Sequence, residues 1–160
     1  MKIKITFIAL LFSSALLNAG ESYIIKYKGI TLGEIENINT IQNLYLNAKA
    51  TNPFVRLILG KSRYVFYDGK KPNIADAKFR KDKNQLLFAL KEAINHQPKH
   101  RVFTIKGDRK LIVECSQKIC RYKYYKRGMF KDSGIIEFDQ NNTFYKLTEK
   151  NANVVIQRKK

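Results

Sequence analysis

Few residues in this 160-residue chain have side chains suited to covalent or metal chemistry. There are two cysteines, Cys115 and Cys120, and two histidines, His96 and His100. A redox-active cysteine pair usually has two residues between its members and a helix start beneath it. Here four residues intervene, in a stretch that reads as a strand hairpin. A zinc site would need further ligands at a suitable spacing, and only His96 and His100 are candidates. Pro98 stands between them and spoils a shared helical face. No metal and no cofactor is therefore expected. The acids that could pair for general acid–base work are Glu34 with Glu36 and Asp76 with Asp82, and neither pair has a distinctive context. No serine lies in a glycine-flanked nucleophile motif. No catalytic residue is assigned, and the expected class is a non-enzymatic protein. A small basic secreted hydrolase using His96 or His100 with an acid and an arginine is the third-ranked reading.

The cysteines read as a staple. If "RKLIVEC" and "CRYKYYK" form a hairpin closed by "SQKI", pairing Cys115 with Cys120 fixes every other pair. Val113 then faces Tyr122 and Leu111 faces Tyr124, on the side of the cysteines. Glu114 faces Arg121, Ile112 faces Lys123 and Lys110 faces Tyr125 on the other side. One side becomes apolar and aromatic, and the other gains an opposite-charge pair. The hydrophobic and disulfide registers agree without either having been used to choose the other.

The elements around this hairpin also read as a strand-rich domain. "SYIIKYKG" alternates Tyr23, Ile25 and Tyr27 against Lys26 and Lys28, and "NLYLNAKA" alternates Leu44, Leu46, Ala48 and Ala50 against polar neighbours. Gly29 and Gly33 are expected around a tight connection. From Arg101 onward, six short strands alternate with turn signals. Two helical segments interrupt the pattern. "TNPFVRLILG" has Asn52 as a cap, Pro53 at the first helical position and Gly60 past the end. Its apolar side chains are Phe54, Val55, Leu57, Ile58 and Leu59; packing on the core is the preferred use for them, and covering a cavity or meeting a membrane are the alternatives. A longer helix starts with the capping-box spacing of Asp82 and Gln85, carries a stripe of Leu86, Leu87, Leu90, Ala93 and Ile94, and stops before Pro98. The expected fold is mainly β (α+β): an antiparallel, strongly curved sheet or incomplete barrel with one amphipathic helix and one short apolar helical turn.

The first residues stand apart. "MKIK" is followed by the uncharged "ITFIALLFSSALL" and the small residues of "NAG", the pattern of a cleavable signal peptide ending at Ala19. Residues 20–160 would then be one periplasmic domain. The charge is extreme, 31 Lys and Arg against 13 Asp and Glu. Loss of Lys2 and Lys4 with the leader leaves 29 against 13, a net +16. Such a balance attracts anions. After export these are anionic lipids, acidic glycans and envelope proteins; nucleic acid is not expected, and peripheral contact with a membrane is allowed. The candidate anion contacts are Arg56, Lys61 and Arg63 around the short helix, with Arg121, Lys123 and Arg127 on the face that Tyr125 shares. A ligand that is both anionic and amphipathic, a lipid or a lipopolysaccharide-like molecule, fits these features best. In that reading Phe54, Val55, Leu57, Ile58 and Leu59 form a lid. The alternative is a structural interaction module docking a protein or cell-wall polymer through a basic sheet face.

The stretch "YIIKYKGITLGEIE", with Gly29, Ile30 and Gly33 in a Gly-Ile-x-x-Gly arrangement, resembles an exported bacterial family known as domain of unknown function 3108. The resemblance implies a periplasmic, mostly β domain and assigns no catalytic residue.

Overall fold

Alternating apolar residues and turn signals produce eleven strands among the described residues, and one sheet holds them all. The computed structural model describes residues 21–81 and 85–160. In chain order the elements are β1 (Tyr23–Tyr27), β2 (Ile30–Ile35), a 3-10 helix (Ile38–Asn43), β3 (Tyr45–Ala50), α1 (Pro53–Leu59), β4 (Arg63–Tyr67), β5 (Ala77–Lys81), α2 (Gln85–His96), β6 (Arg101–Lys106), β7 (Arg109–Ser116), β8 (Ile119–Lys126), β9 (Met129–Phe138), β10 (Phe144–Glu149) and β11 (Val154–Arg158). The strand order is β5-β4-β3-β2-β1-β11-β10-β9-β8-β7-β6. The first and last strands thus pair at the centre, and two meanders run outward from them to open edges at β5 and β6. Every pair is antiparallel except β4–β5, which is parallel. The expected signal peptide, residues 1–19, and Asp82 of the expected capping box lie outside the described residues.

The sheet is strongly curled, as α2 demonstrates. Asn95 and Gln42 exchange two amide hydrogen bonds of 2.9 and 2.8 Å, and Lys91 Nζ donates to the Gln42 carbonyl at 3.0 Å. These tie α2 to the 3-10 helix that leads into β3, while the same helix packs on β7 and β8. In a flat sheet β3 and β7 would lie about 34 Å apart, seven strand spacings. A twelve-residue helix is about 18 Å long. The concave face must therefore wrap around it. Leu87, Ala89, Leu90 and Ala93 are fully buried there in one cluster with Leu111, Val113, Tyr122, Ile136 and Leu147. Each fully buried leucine contributes about 1.5–3 kcal/mol.

The β7–β8 pairing matches the expected register at all six positions, from Lys110↔Tyr125 to Cys115↔Cys120. A disulfide joins Cys115 to Cys120. Ser116 and Ile119 extend the ladder, so the connection is the two residues Gln117 and Lys118 rather than the four of "SQKI". The double replacement Cys115→Ala/Cys120→Ala is expected to cost about 2 kcal/mol through the loop it releases in the unfolded chain. Urea titration of both proteins checks this, with a thiol assay that should find no free cysteine in the wild type.

Two local expectations are corrected. Gly33 is not part of a turn; it lies inside β2, where a Cβ would stand 2.4 Å from the Lys49 carbonyl oxygen. The tight connection is Lys28-Gly29 alone, with φ of 48° and 83°. Leu44 leaves the β3 alternation, because it ends the 3-10 helix in the left-handed region (φ 56°) and its N–H donates to the Ile41 carbonyl at 2.9 Å. The basic stretch "AKFRK" forms the edge strand β5, where its charge discourages pairing with another chain.

At the end of the sheet where the chain terminates, Arg158 gathers its neighbours. Its Nη1 donates to Asp139 Oδ2 at 2.7 Å and its Nη2 to the Phe144 carbonyl at 2.8 Å, while its Nε lies 3.1 Å from Glu21 Oε2. The Arg158 guanidinium, helped by the Thr143 and Asn141 N–H groups, holds the Asp139 carboxyl below its ordinary value of 3.8. A carboxyl depressed in the folded state stabilises above its unfolded value and loses that contribution as the pH falls through the folded one. Wild-type stability should therefore drop as the pH is lowered below about 4. Arg158→Met should lower stability at pH 6 and make the acid limb shallower, as urea midpoints across the acid range would reveal. At the alkaline side, burial pushes the Tyr23 hydroxyl up to about 12 and the Tyr122 hydroxyl up as well. A raised group loses its contribution as the pH climbs through the folded value, so unfolding should set in above about pH 10. Absorbance near 295 nm should then show Tyr23 and Tyr122 ionising only with unfolding, a signal that Tyr122→Phe should reduce.

Candidate functional site

The two halves of the concave face are lined differently. On β7 to β10 the inward residues are large: Leu111, Val113, Tyr122, Tyr124, Ile136, Phe138, Phe144 and Leu147, and α2 fills the rest. On β2 and β3 three of them are small, Gly33, Ala48 and Ala50, beside the larger Ile35 and Leu46. Gly33 pairs with Ala50, and Ala48 lies between Ile35 on β2 and Tyr64 on β4. Side chains too short to meet across a curved sheet leave space. That space is a cavity of about 490 Å³, walled by Ile25, Leu32, Leu46, Ala48, Ala50, Tyr64, Phe66, Val154 and Ile156, with Leu86 from α2. Three charged residues also border it, Lys49 on β3, Arg80 on β5 and Glu149 at the end of β10; Lys49 Nζ lies 3.7 Å from Glu36 Oε1, and the other two also have interaction partners. A second concavity of about 550 Å³ opens on the outer face near the β6–β7 turn, lined by Thr104, Asp108, Lys110 and Tyr125. It is larger but shallower and more polar. The inner cavity is the better ligand site, because a concave, mainly apolar wall with few polar groups is what buries an organic ligand.

One side of the cavity is closed by α1. The helix forms at the expected residues for the expected reasons. The Asn52 side chain accepts from the Phe54 N–H at 2.9 Å, Pro53 opens the helix, and Gly60 (φ 64°) closes it with an N–H donating to the Arg56 carbonyl at 3.0 Å. Asn52 Nδ2 donates to the Thr31 carbonyl at 3.2 Å, which hangs the helix on β2. Val55 and Leu59 are half-buried and line the cavity. Phe54, Leu57 and Ile58 are 77%, 80% and 79% exposed. The preferred expectation, that this stripe packs into the core, is therefore corrected: no residue of α1 is buried. A seven-residue helix has room for one contact line, and the sheet takes that of Val55 and Leu59. The five apolar residues of the expected lid thus divide into two that face the cavity and three that face away.

The expected anion contacts do not form one site. Arg56 is exposed on α1. Lys61, just past the helix, lies 3.5 Å from Asp76 Oδ1. Hydrogen bonds from Ser62, then Lys61, hold the Asp76 carboxyl below its ordinary value. Arg63 alternates out of phase with the cavity-lining Tyr64 and Phe66, and its Nη1 lies 3.5 Å from Glu36. Arg121 and Lys123 are exposed on the opposite face of β8 from the buried Cys120, Tyr122 and Tyr124. Arg127 does not share their face. It lies in the β8–β9 turn at φ 53°, where its Nε reaches Asp108 Oδ2 at 3.1 Å. Alternation places Arg121 and Lys123 correctly relative to each other, but the strand ends at Lys126.

The residues that sequence reasoning missed are the cavity walls. Their only signal was the run of small residues Gly33, Ala48 and Ala50, legible as a cavity only once their cross-strand pairing is known. His100 Nδ1 lies 2.8 Å from Glu114 Oε1 on the surface, and His96 stands exposed at the end of α2. Among the described residues no three His, Cys, Asp or Glu side chains converge as a metal site would need, and no helix is long and apolar enough to cross a membrane. No family model, curated protein or solved structure matches the chain.

Proposed function

We propose that this is a non-enzymatic protein of the periplasm, exported by its leader, that binds an anionic amphipathic ligand of the lipid or lipopolysaccharide type. The observation that carries the reading is the apolar cavity left by Gly33, Ala48 and Ala50 on the concave face. Acyl chains occupy it beneath Val55 and Leu59. The anionic head lies at the mouth, within reach of Arg56 and Lys61. The disulfide agrees with an oxidising compartment. The likeness of residues 23–36 to domain of unknown function 3108 belongs to the same proposal and adds no residue role.

The test is native mass spectrometry of the protein isolated without detergent from the cells that export it. A bound, heterogeneous lipid mass released by organic solvent is the expected result. A bare polypeptide that also fails to take up a fluorescent acyl-chain probe would overturn it. A structural interaction module is the second reading, favoured by the exposed Arg121 and Lys123 on the outer face of β8. Crosslinking in intact cells would favour it if one envelope protein were captured, and if the capture were lost in Arg121→Glu/Lys123→Glu. The hydrolase reading has only the exposed His100–Glu114 contact behind it.

A further inference from the structure

Of nine exposed large apolar side chains among the described residues, four (Val102, Met129, Phe130 and Tyr145) are on β6, β9 and β10, and the other five (Tyr27, Ile30, Phe54, Leu57 and Ile58) are gathered on one rim, at one end of the sheet. Register places the β1–β2 turn, the β10–β11 turn and α1 together there, since Tyr27 pairs with both Ile30 and Val154, and β3 runs down through Ala50 into α1. Hydrogen bonds join them: the Lys28 N–H donates to the Asn153 carbonyl at 3.1 Å, and the Thr51 N–H to the Leu32 carbonyl at 3.3 Å. Phe54, Leu57 and Ile58 on α1 and Tyr27 and Ile30 at the turn all lie open to solvent on this rim. Lys28 and Arg56, both exposed, stand among them. The cavity reaches the same end, because Leu32, Val55, Leu59 and Ala152 line it.

The geometry points to this rim as the surface by which the protein docks on a bilayer containing anionic phospholipid. The docking deepens the cavity reading and rests on it for its purpose: a ligand could pass between the bilayer and the cavity without crossing water. Three features favour a bilayer over other occupants. The apolar groups sit on a short helix and a hairpin tip, protruding elements that enter a headgroup layer, rather than on a flat patch of the kind that forms a standard protein interface. Cations interleave with them, and a negatively charged membrane surface attracts such groups. A second copy of this chain would bring two basic rims together in a protein whose formal net charge is +18.

The test is co-sedimentation of the protein, as isolated from the exporting cell, with vesicles of phosphatidylcholine alone and of phosphatidylcholine mixed with phosphatidylglycerol. Binding to the mixed vesicles is expected, weakening with added salt. Leu57→Glu/Ile58→Glu should weaken it at least about tenfold, with an unchanged circular dichroism spectrum because both side chains point to solvent. Lys28→Gln/Arg56→Gln should weaken it about fivefold for each charge removed. No binding to the mixed vesicles, undiminished binding by either double variant, or a concentration-dependent dimer that Leu57→Glu/Ile58→Glu abolishes would each overturn the proposal. Lipid retained from the cell without vesicle binding would sink the docking and leave the cavity reading standing. Vesicle binding by a protein that retains no lipid would do the reverse.

Discussion

Gly134→Val should destabilise the protein by about 3 kcal/mol, more than most single changes do. Gly134 lies within β9 with no positive φ, so conformational freedom is not what this position needs. The need is space. A Cβ there would stand 2.4 Å from Cε1 of the Tyr122 ring and 2.7 Å from the Thr148 carbonyl oxygen. Tyr122 is fully buried in the core, and Thr148 is held by the β9–β10 and β10–β11 ladders. Neither can move without disturbing the packing around it. A smaller ring partner should rescue only part of the loss, because the carbonyl remains: Gly134→Ala combined with Tyr122→Leu should stay below Tyr122→Leu alone. The contrast is Gly29→Ala. Nothing lies within 4 Å of a Cβ there, and the φ of 83° alone should cost about 1 kcal/mol. Urea midpoints for the set would check the ranking. A Gly134→Val protein as stable as the wild type would show that the ring and the carbonyl do not approach so closely in solution.

Ala48→Phe should abolish ligand retention while leaving the fold intact. Ala48 lines the cavity and is nearly buried, so a benzyl group there enters the 490 Å³ space rather than solvent. In a filled core such a substitution would cost about 1–3 kcal/mol. With room available, the added apolar burial offsets that cost, and the urea midpoint should change little or rise. Native mass spectrometry of the variant from the exporting cell should then show the bare polypeptide where the wild type carries lipid. Equal retention by both would place the ligand elsewhere. Loss of retention together with collapse of the urea midpoint would point to a misfolded sheet, and Ala50→Leu, at the neighbouring inward position of β3, would separate the two causes.

Several features needed only local information, and the sequence determined them. Alternation of apolar residues gave most strands from Arg101 onward. The Asn52, Pro53 and Gly60 signals bounded α1 to the residue. The six pairs of the cysteine hairpin followed from one assumption, because a one-residue slip would have put Glu114 and Arg121 where Val113 and Tyr122 belong. Such signals are readable because each rests on neighbours within a turn, a helix or a hairpin.

Tertiary structure alone decided the rest. Whether α1 buried its apolar stripe depended on what the sheet offered beneath it, and the sheet had room for Val55 and Leu59 but not for Phe54, Leu57 and Ile58. The parallel pairing of β5 with β4 and the antiparallel pairing of the first strand with the last join segments whose patterns carry no mark of each other. The cavity has the same origin. Gly33, Ala48 and Ala50 are ordinary along the chain, and become an empty space only when two strands, β2 and β3, set them side by side opposite a helix that begins at residue 85. Packing between distant segments is a sum over contacts that no local pattern contains, so a site built from missing volume could not be read before the fold was known.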